Sequence, residues 1–464
     1  MTKARRTLLS ACVAIATLLL APVHARSEET QGAKTIDRLT VSSLARYKAV
    51  PPARDAGSSS YALRGALDLV LERDPRIGEA AAEARAAETD VFAQLMRYTP
   101  VITASIESRM DVATGRDVLF RNDAIPDSYG KVELRFPVFT GGRRSADLKR
   151  SRELSLARQY RYQAVRDDVS LQAVELWTNA WLGIAEQGIV EERIARLRSL
   201  RASIDDRRRN GFASGSDLAR LDAEIAATRR IFNDVVARRD KARAELARLG
   251  GGGAATARGA LPQLSRHLPA SKAQLLALAR RANPSLLAAA ADYRASIHQA
   301  RSSYGQLLPQ VDATAEWRHD LERADHLSRR DGWTVGLSLK VPLFDLSSGA
   351  ASRADRERTD AALYREAQTL NTVQIDIDRL YIDKATLREN DRALEAELAA
   401  RRKSAAAARS RYAEGFGDLE EVIDAQNELD DTRRLAVLAK GEAFMVDARL
   451  LVRGGLFRTT MLGG

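Results

Sequence analysis

The sequence predicts a mainly α-helical fold with a small membrane β part, built from two copies of one structural unit. Three observations carry that prediction: a composition rich in Ala and Arg and poor in aromatics, a repeat at a nearly constant offset, and four short segments that alternate strictly between apolar and polar residues. Of 464 residues, 45% are hydrophobic, only 5% aromatic and 29% charged. Such a balance fits long helices packed closely on one another rather than bulky globular cores. It excludes collagen, disulfide scaffolds and largely disordered chains. The one long apolar run, residues 8–22, falls short of the roughly 20 residues a membrane helix needs, which excludes a polytopic helical membrane protein.

That run belongs to an export signal. Lys3, Arg5 and Arg6 form a basic start, Leu8 to Leu20 an apolar stretch, and Val23-His24-Ala25 a small-x-small cleavage site. Removing residues 1–25, with their three basic charges, takes the formal charge from +11 to +8 and leaves 439 residues. Cys12 sits in Leu9-Ser10-Ala11-Cys12, which resembles a lipoprotein box, but too few apolar residues precede it for a lipidated cysteine. It is expected to leave with the signal. The mature chain then has no thiol, and therefore no disulfide, zinc-thiolate site or cysteine nucleophile. Residues 26–60 form an extension with no assigned role.

The repeat defines the domains. Asp74-Pro75 and Asn283-Pro284 open matching segments, closed by Pro100 and Pro309. Leu134-Arg135-Phe136-Pro137-Val138-Phe139 matches Leu339-Lys340-Val341-Pro342-Leu343-Phe344, and Gly211-Phe212 matches Gly415-Phe416. From there the register runs without a gap to Thr228-Arg229-Arg230 against Thr432-Arg433-Arg434, at an offset of 204. Repeats at 61–249 and 271–457 are expected, with a Gly- and Pro-rich linker at 250–270 and a tail at 458–464. Each unit should hold a helix (about 76–99 and 285–308), two strands, a long helix (143–209 and 349–412), and a return helix (216–249 and 418–453).

The alternating segments are about 101–110, 130–138, 311–320 and 333–343. Ile102, Ala104 and Ile106 alternate with Thr103, Ser105 and Glu107, and Val311, Ala313, Ala315 and Trp317 alternate with Asp312, Thr314, Glu316 and Arg318. Amphipathic hairpins on a soluble core would give the same pattern. Against that, each segment is of the length that crosses a bilayer at a tilt, and its polar face is charged throughout, as a water-filled lumen requires.

A bilayer tolerates no open sheet edge, and four strands cannot close. Two chains would give eight strands and a bore filled by side chains. Three give twelve strands and an open lumen, so a cyclic trimer is expected. The long helix at 143–209 would extend roughly 100 Å and needs lateral partners. Ile194, Leu197, Leu200 and Ile204 supply an apolar seam for them, and the small side chains of Ala405 to Ala408 allow close approach.

Together, the duplication, the strand-end motifs Phe136-Pro137-Val138-Phe139-Thr140-Gly141-Gly142 and Val341-Pro342-Leu343-Phe344-Asp345, and Tyr412-x-x-Gly415-Phe416 leading to Val422-Ile423-Asp424-Ala425-Gln426 resemble the TolC family of trimeric outer-membrane efflux channels. The resemblance covers about residues 62–457. It implies a twelve-stranded β-barrel continued by a coiled-coil α-barrel through the periplasm of a Gram-negative bacterium. It also implies partnership with a periplasmic adaptor and an inner-membrane pump, and contact with outer-membrane lipid. Pro100, Pro137, Pro309 and Pro342 would mark strand–helix junctions.

The hairpin turns would form a periplasmic tip that docks the adaptor through Gly211, Phe212, Gly415 and Phe416. Glu421 and Asp424, one helical turn apart, match the family's constriction and would stack rings of negative charge; without the resemblance they are a solvated helix face. Tyr412 and Asp217, with Ser216 beside them, match the family's gate contacts. One departure stands out: where well-known members place an Arg two residues after the tip glycine, this chain has Gly417. Arg207, Arg208 and Arg209 beside the other turn are candidate substitutes, or simply a solvated run.

No enzyme signature is present. His267, His298, His319 and His326 show no metal-ligand spacing, and there is no phosphate-binding loop or nucleophile elbow. Arg is spread among comparable acid along the helices, which argues with export against nucleic acid. No cofactor is expected. The expected role is a passive exit duct in tripartite efflux or type I secretion. The alternative is a periplasmic coiled-coil scaffold or adaptor without a pore.

Overall fold

The computed structural model describes residues 61–112, 124–211, 214–252, 259–323 and 331–462. The export segment, the extension 26–60, Phe212, linker residues 253–258 and the last two residues of the tail lie outside the described residues. In the first half, helices α1 (Tyr61–Arg73) and α2 (Pro75–Met96) lead to strands β1 (Val101–Val112) and β2 (Ala124–Thr140), then to α3 (Arg143–Arg209) and α4 (Gly215–Gly250). The second half repeats that order with α5 (Lys272–Ala282), α6 (Pro284–Gly305), β3 (Gln310–Arg323), β4 (Gly332–Lys340), α7 (Leu346–Ala413) and α8 (Leu419–Arg453).

The short helices α1 and α5 escaped the sequence reading, although Leu63, Ala66, Leu67 and Val70 stand at helical spacing and are buried. The repeated dipeptides are helix starts. Asp74 and Asn283 cap α2 and α6 with their side chains, and the proline after each takes the first helical position, where no N–H is needed.

All four strands form one antiparallel sheet in the order β1-β2-β3-β4. Its central pair, β2 and β3, comes from different halves, so the sheet joins the two repeats. Ile102, Leu134, Ala315 and Val335 lie in one cross-strand row, and Ala104, Val132, Trp317 and Trp333 in another. This face is exposed: Ile102 is 67%, Val335 79% and Leu337 77% accessible. An apolar surface of that kind marks a contact with lipid or protein. On the opposite face, Lys131 lies 3.5 Å from Glu133 and 3.8 Å from Glu107, Arg135 3.0 Å from Asp312, and Arg318 2.9 Å from Asp320. The predicted alternation therefore holds on both faces. β1 and β4 are the two edges.

The prolines need one correction. Pro100 and Pro309 directly precede β1 and β3, and β4 stops at Lys340, two residues before Pro342. Pro137, however, lies inside β2, where the pairing with β3 slips between Pro137 and Phe139. A residue without an N–H is accommodated by such a bulge. The turn into α3 comes later, at Gly141 and Gly142, whose φ values are +60° and +76°. A Cβ on Gly141 would lie 2.4 Å from the carbonyl oxygen of Gly305, and one on Gly305 would lie 2.8 Å from that of Gly141. The two halves meet backbone to backbone here.

The main core lies where α1, α3, α4 and α8 converge, around Leu67, Val70, Val174, Trp177, Leu246, Leu451 and Phe457. A second cluster joins α5, α7 and α8 through Leu275, Ile377 and Leu450. Towards the far end of the hairpins, Leu197 and Ile204 of α3 pack on Leu221, Leu419 and Ile423, and Ala405 and Ala408 of α7 pack on Val422, Ala425 and Leu429 of α8. The apolar seam and the small-residue contact both follow the sequence pattern.

Two predictions follow from this packing. Gly305→Ala should lower stability by about 1–3 kcal/mol, because backbone rather than a flexible side chain opposes the added methyl. Gly188→Ala, inside α3 with nothing within 4 Å of its added Cβ, should be neutral or mildly stabilising; chemical unfolding of both variants checks the contrast. The second concerns Asp167 of α3, buried and 3.9 Å from Arg458, whose pKa burial raises from 3.8 to about 6. An acid whose folded pKa is raised costs stability as pH climbs from its unfolded value through its folded one. Asp167→Asn should therefore stabilise the protein by about 1–3 kcal/mol above pH 7, with the gain fading towards pH 4, as read by unfolding across that range.

Candidate functional site

The predicted gate and constriction residues gather at the hairpin tips. The α7–α8 turn is closed by backbone hydrogen bonds: Gly415 N–H donates to the Tyr412 carbonyl at 3.2 Å and Phe416 N–H to that of Arg411 at 2.9 Å. This is a Schellman ending, with Gly415 at φ +87°. It leaves Phe416 projecting, 85% exposed. The chain then folds back so tightly that a Cβ on Gly417 would lie 2.9 Å from the Tyr412 nitrogen. That approach gives a physical reason for the missing Arg at 417: no side chain fits there.

At the end of α3, Gly211 is likewise left-handed at φ +80°, and its N–H donates to the Arg208 carbonyl at 2.9 Å. Its return helix begins with a capping box, in which Ser214 caps α4 and the Asp217 carboxylate accepts from the Ser214 N–H at 3.1 Å. Ser216 donates its N–H to the Ser214 hydroxyl at 3.0 Å. Asp217 and Ser216 are thus engaged in their own helix start. No Tyr412–Asp217 hydrogen bond occurs among the described residues. Instead Arg207 donates to the Tyr412 hydroxyl at 3.3 Å, and its guanidinium carbon lies 5.4 Å from the ring centroid. Arg208 and Arg209 both pair with Asp205 of their own helix.

Glu421 and Asp424 share one face of α8, as the spacing requires, but their environments differ. Arg411, on the last turn of α7, forms an ion pair with Glu421. Asp424 is exposed. A second cross-link joins the two hairpins: Arg220 of α4 lies 2.5 Å from Glu420 of α8. Its hydrogen bond holds the Glu420 carboxyl below the usual range. The same bond raises the Arg220 pKa, to which the charges of Asp424 and Asp418 also contribute. Sequence reasoning missed Arg411 and Arg220, because ion pairs across a turn or between helices leave no spacing signal. The repeat held a clue: at the 204-residue offset Arg207 matches Arg411, Asp217 matches Glu421, and Arg220 faces Asp424.

Above the tips, a belt of ion pairs ties α3 to its neighbours. Arg193 donates to Glu224 of α4 at 2.7 Å and to Asp431 of α8 at 3.4 Å. Arg434 and Arg238 each reach Glu186 at 3.2 Å. Glu186 and Arg193, the buried members of this belt, are weak sources of stability but discriminate between helix registers.

The sequence matches the family "Outer membrane efflux protein" over residues 66–252 and 275–450, one stretch in each repeat. The chain belongs to this family. Outer membrane protein TolC of Vibrio cholerae serotype O1 is 25% identical over 169 residues, which is 36% of this chain and 38% of that relative, so the match spans little more than a third of the relative's length. Among solved structures, the outer-membrane channel OprN superposes with a TM-score of 0.73 at 21% identity, over 88% of this chain and 95% of that one. The outer membrane protein VceC of Vibrio cholerae gives 0.73 at 18% identity, over 86% and 99%. Likeness at such identities shows the fold. As an outer membrane efflux protein the chain is a transport component of the outer membrane and not an enzyme, in agreement with the sequence reading. A structural consequence of the tip geometry is testable: Gly417→Arg should disrupt the α7–α8 turn rather than restore a gate, seen as faster protease cleavage near residue 416.

Proposed function

We propose that three copies of this chain close a twelve-stranded barrel in the outer membrane and form an exit duct. The duct passively conducts substrates handed over by a periplasmic adaptor and an inner-membrane pump, in tripartite efflux or type I secretion. The observation that carries this reading is the four-stranded sheet, with an exposed apolar face, an ion-paired polar face and two open edges. A lipid-facing closed barrel accounts for all three features. A scaffold or adaptor without a pore would leave the apolar face in water. The mass of the detergent-extracted protein, corrected for bound detergent, tests the reading. A trimer from the outer-membrane fraction supports it, and a soluble periplasmic monomer or dimer overturns it.

In this reading the exposed Phe416, with Gly415, Gly211 and Phe212, meets the adaptor. The Arg207–Tyr412 contact and the Arg220–Glu420 pair hold the α3–α4 and α7–α8 hairpins against each other at rest. Arg207 serves where the resemblance would use an Arg at 417, and Asp217 and Ser216 support the contact indirectly by fixing the start of α4. Arg207→Ala should raise resting conductance in planar bilayers more than Tyr412→Phe, because Phe keeps the ring face for the cation. Glu421 and Asp424 line the constriction, with Arg411 offsetting the Glu421 charge. Arg411→Gln should then make the pore more cation-selective, and Asp424→Asn less so. Reversal potentials in a salt gradient measure both shifts, and their absence in both variants removes the constriction assignment while leaving the fold intact.

A further inference from the structure

Next to the sheet, four helices stand in a row in the order α2, α3, α6, α7. The inner contact, α6 on α3, joins the two repeats. The outer helices are continuous with the sheet's edges, since α2 leads into β1 and α7 follows β4.

The repeat makes the inner contact a template for the two outer faces. Positions in α6 match those in α2 at an offset of 209, fixed by Asn283-Pro284 against Asp74-Pro75 and by Pro309 against Pro100. Positions in α3 match those in α7 at 204. Arg152-Glu153, Ala157 and Tyr160-Arg161 recur there as Arg356-Glu357, Ala361 and Tyr364-Arg365.

Where α6 meets α3, Arg294 lies 2.8 Å from Glu153, and Asp292 pairs with Arg161. All four charges recur with the same sign. Arg294 and Asp292 match Arg85 and Glu83 of α2, and Glu153 and Arg161 match Glu357 and Arg365 of α7. Arg85, Glu357 and Arg365 are exposed and form no ion pair among the described residues. Glu83 is also exposed and has Arg158 beside it at 2.7 Å. The uncharged positions agree. Ala291 and Ala295 are buried, whereas the matching Ala82 and Ala86 are exposed; Tyr160 is half-buried, whereas Tyr364 is 73% exposed. Each outer helix thus keeps the residues of a packed face and lacks the partner.

We propose that a second copy of this chain supplies it: α2 of one copy docks on α7 of the next as α6 docks on α3 within a chain. Arg85 pairs with the partner's Glu357, and Glu83, while keeping Arg158, accepts from the partner's Arg365. Each helix contributes one acid and one Arg, so the two pairs together fix the register of the seam. One contact is not repeated. The exposed Met96 stands at the position of Gly305, so side chains meet at the base of the sheet where the halves of one chain meet backbone to backbone. The seam rests on the exit-duct reading, whose closed barrel brings β1 and β4 of neighbouring copies together.

Cross-linking and charge exchange test it on the full-length, detergent-extracted protein. Ala93 and Ala351 match Ser302 and Asp147, whose side chains touch at 2.5 Å. Ala93→Cys combined with Ala351→Cys, treated with a short bifunctional maleimide, should give linked dimers and trimers on denaturing gels, and neither single variant should. Arg85→Glu should lower the temperature at which the oligomer dissociates, most clearly at low salt, and adding Glu357→Arg should restore it. An oligomer of trimeric mass that yields no cross-link overturns the seam and leaves the exit duct standing. Cross-linking in the cysteine pair without rescue by Glu357→Arg overturns the ion pairing. A chain that is monomeric by mass overturns the exit-duct reading and the seam with it.

Discussion

A four-stranded antiparallel sheet has two rows of unpaired backbone groups, and in lipid each row is too costly to leave open. That constraint organises the rest of the molecule. The sheet places β2 of one repeat against β3 of the other, so neither repeat can form its half of the wall alone. The backbone contact between Gly141 and Gly305 sits at the base of this central pair, where two helices must leave the sheet side by side. The long helices inherit their spacing from that junction. A side chain at either glycine would force the halves apart at the point where strand direction becomes helix direction.

The helices then need a second means of keeping register over roughly 100 Å, because Ala-rich seams slide easily. Apolar contacts alone would serve nearly as well one turn out of place. The belt formed by Arg193, Arg434, Arg238, Glu186, Glu224 and Asp431 would be broken by such a slip, leaving its buried members, Glu186 and Arg193, without partners. Its contribution is therefore to discriminate among packings rather than to add net stability.

Much of this architecture was legible in the sequence because it follows from periodicity and from residues with special backbone demands. The limits of α3 are set by Gly142 and Gly211, and the strand faces by strict alternation. Pro137 misled because a proline can end a strand or sit in a bulge, and only the neighbouring strand decides which. The tip was legible in position but not in partnership. Asp217 stands three residues after Ser214, which is itself a capping-box spacing, so its capture by the helix start could have been read. The reach of Arg411 to Glu421 depends on how the turn between them folds.

The two tips show how one ancestral arrangement can acquire two uses. Positions 207 and 411 both hold Arg, and positions 217 and 421 both hold an acid. In the second repeat, Glu421 has one methylene more than Asp217, and the start of α8 makes no side-chain cap. The carboxylate extends to Arg411 and the pair is satisfied within its own hairpin. In the first repeat the shorter Asp217 is drawn into the Ser214 cap, which leaves Arg207 to find a partner elsewhere. Tyr412, on the other hairpin, is the group within reach. A change of one methylene together with a cap thus converts a contact internal to a hairpin into one between hairpins. Gly417 completes the logic: with the turn folded onto the backbone of Tyr412, the cations that link the two hairpins at the tip, Arg207 and Arg220, come from the first repeat.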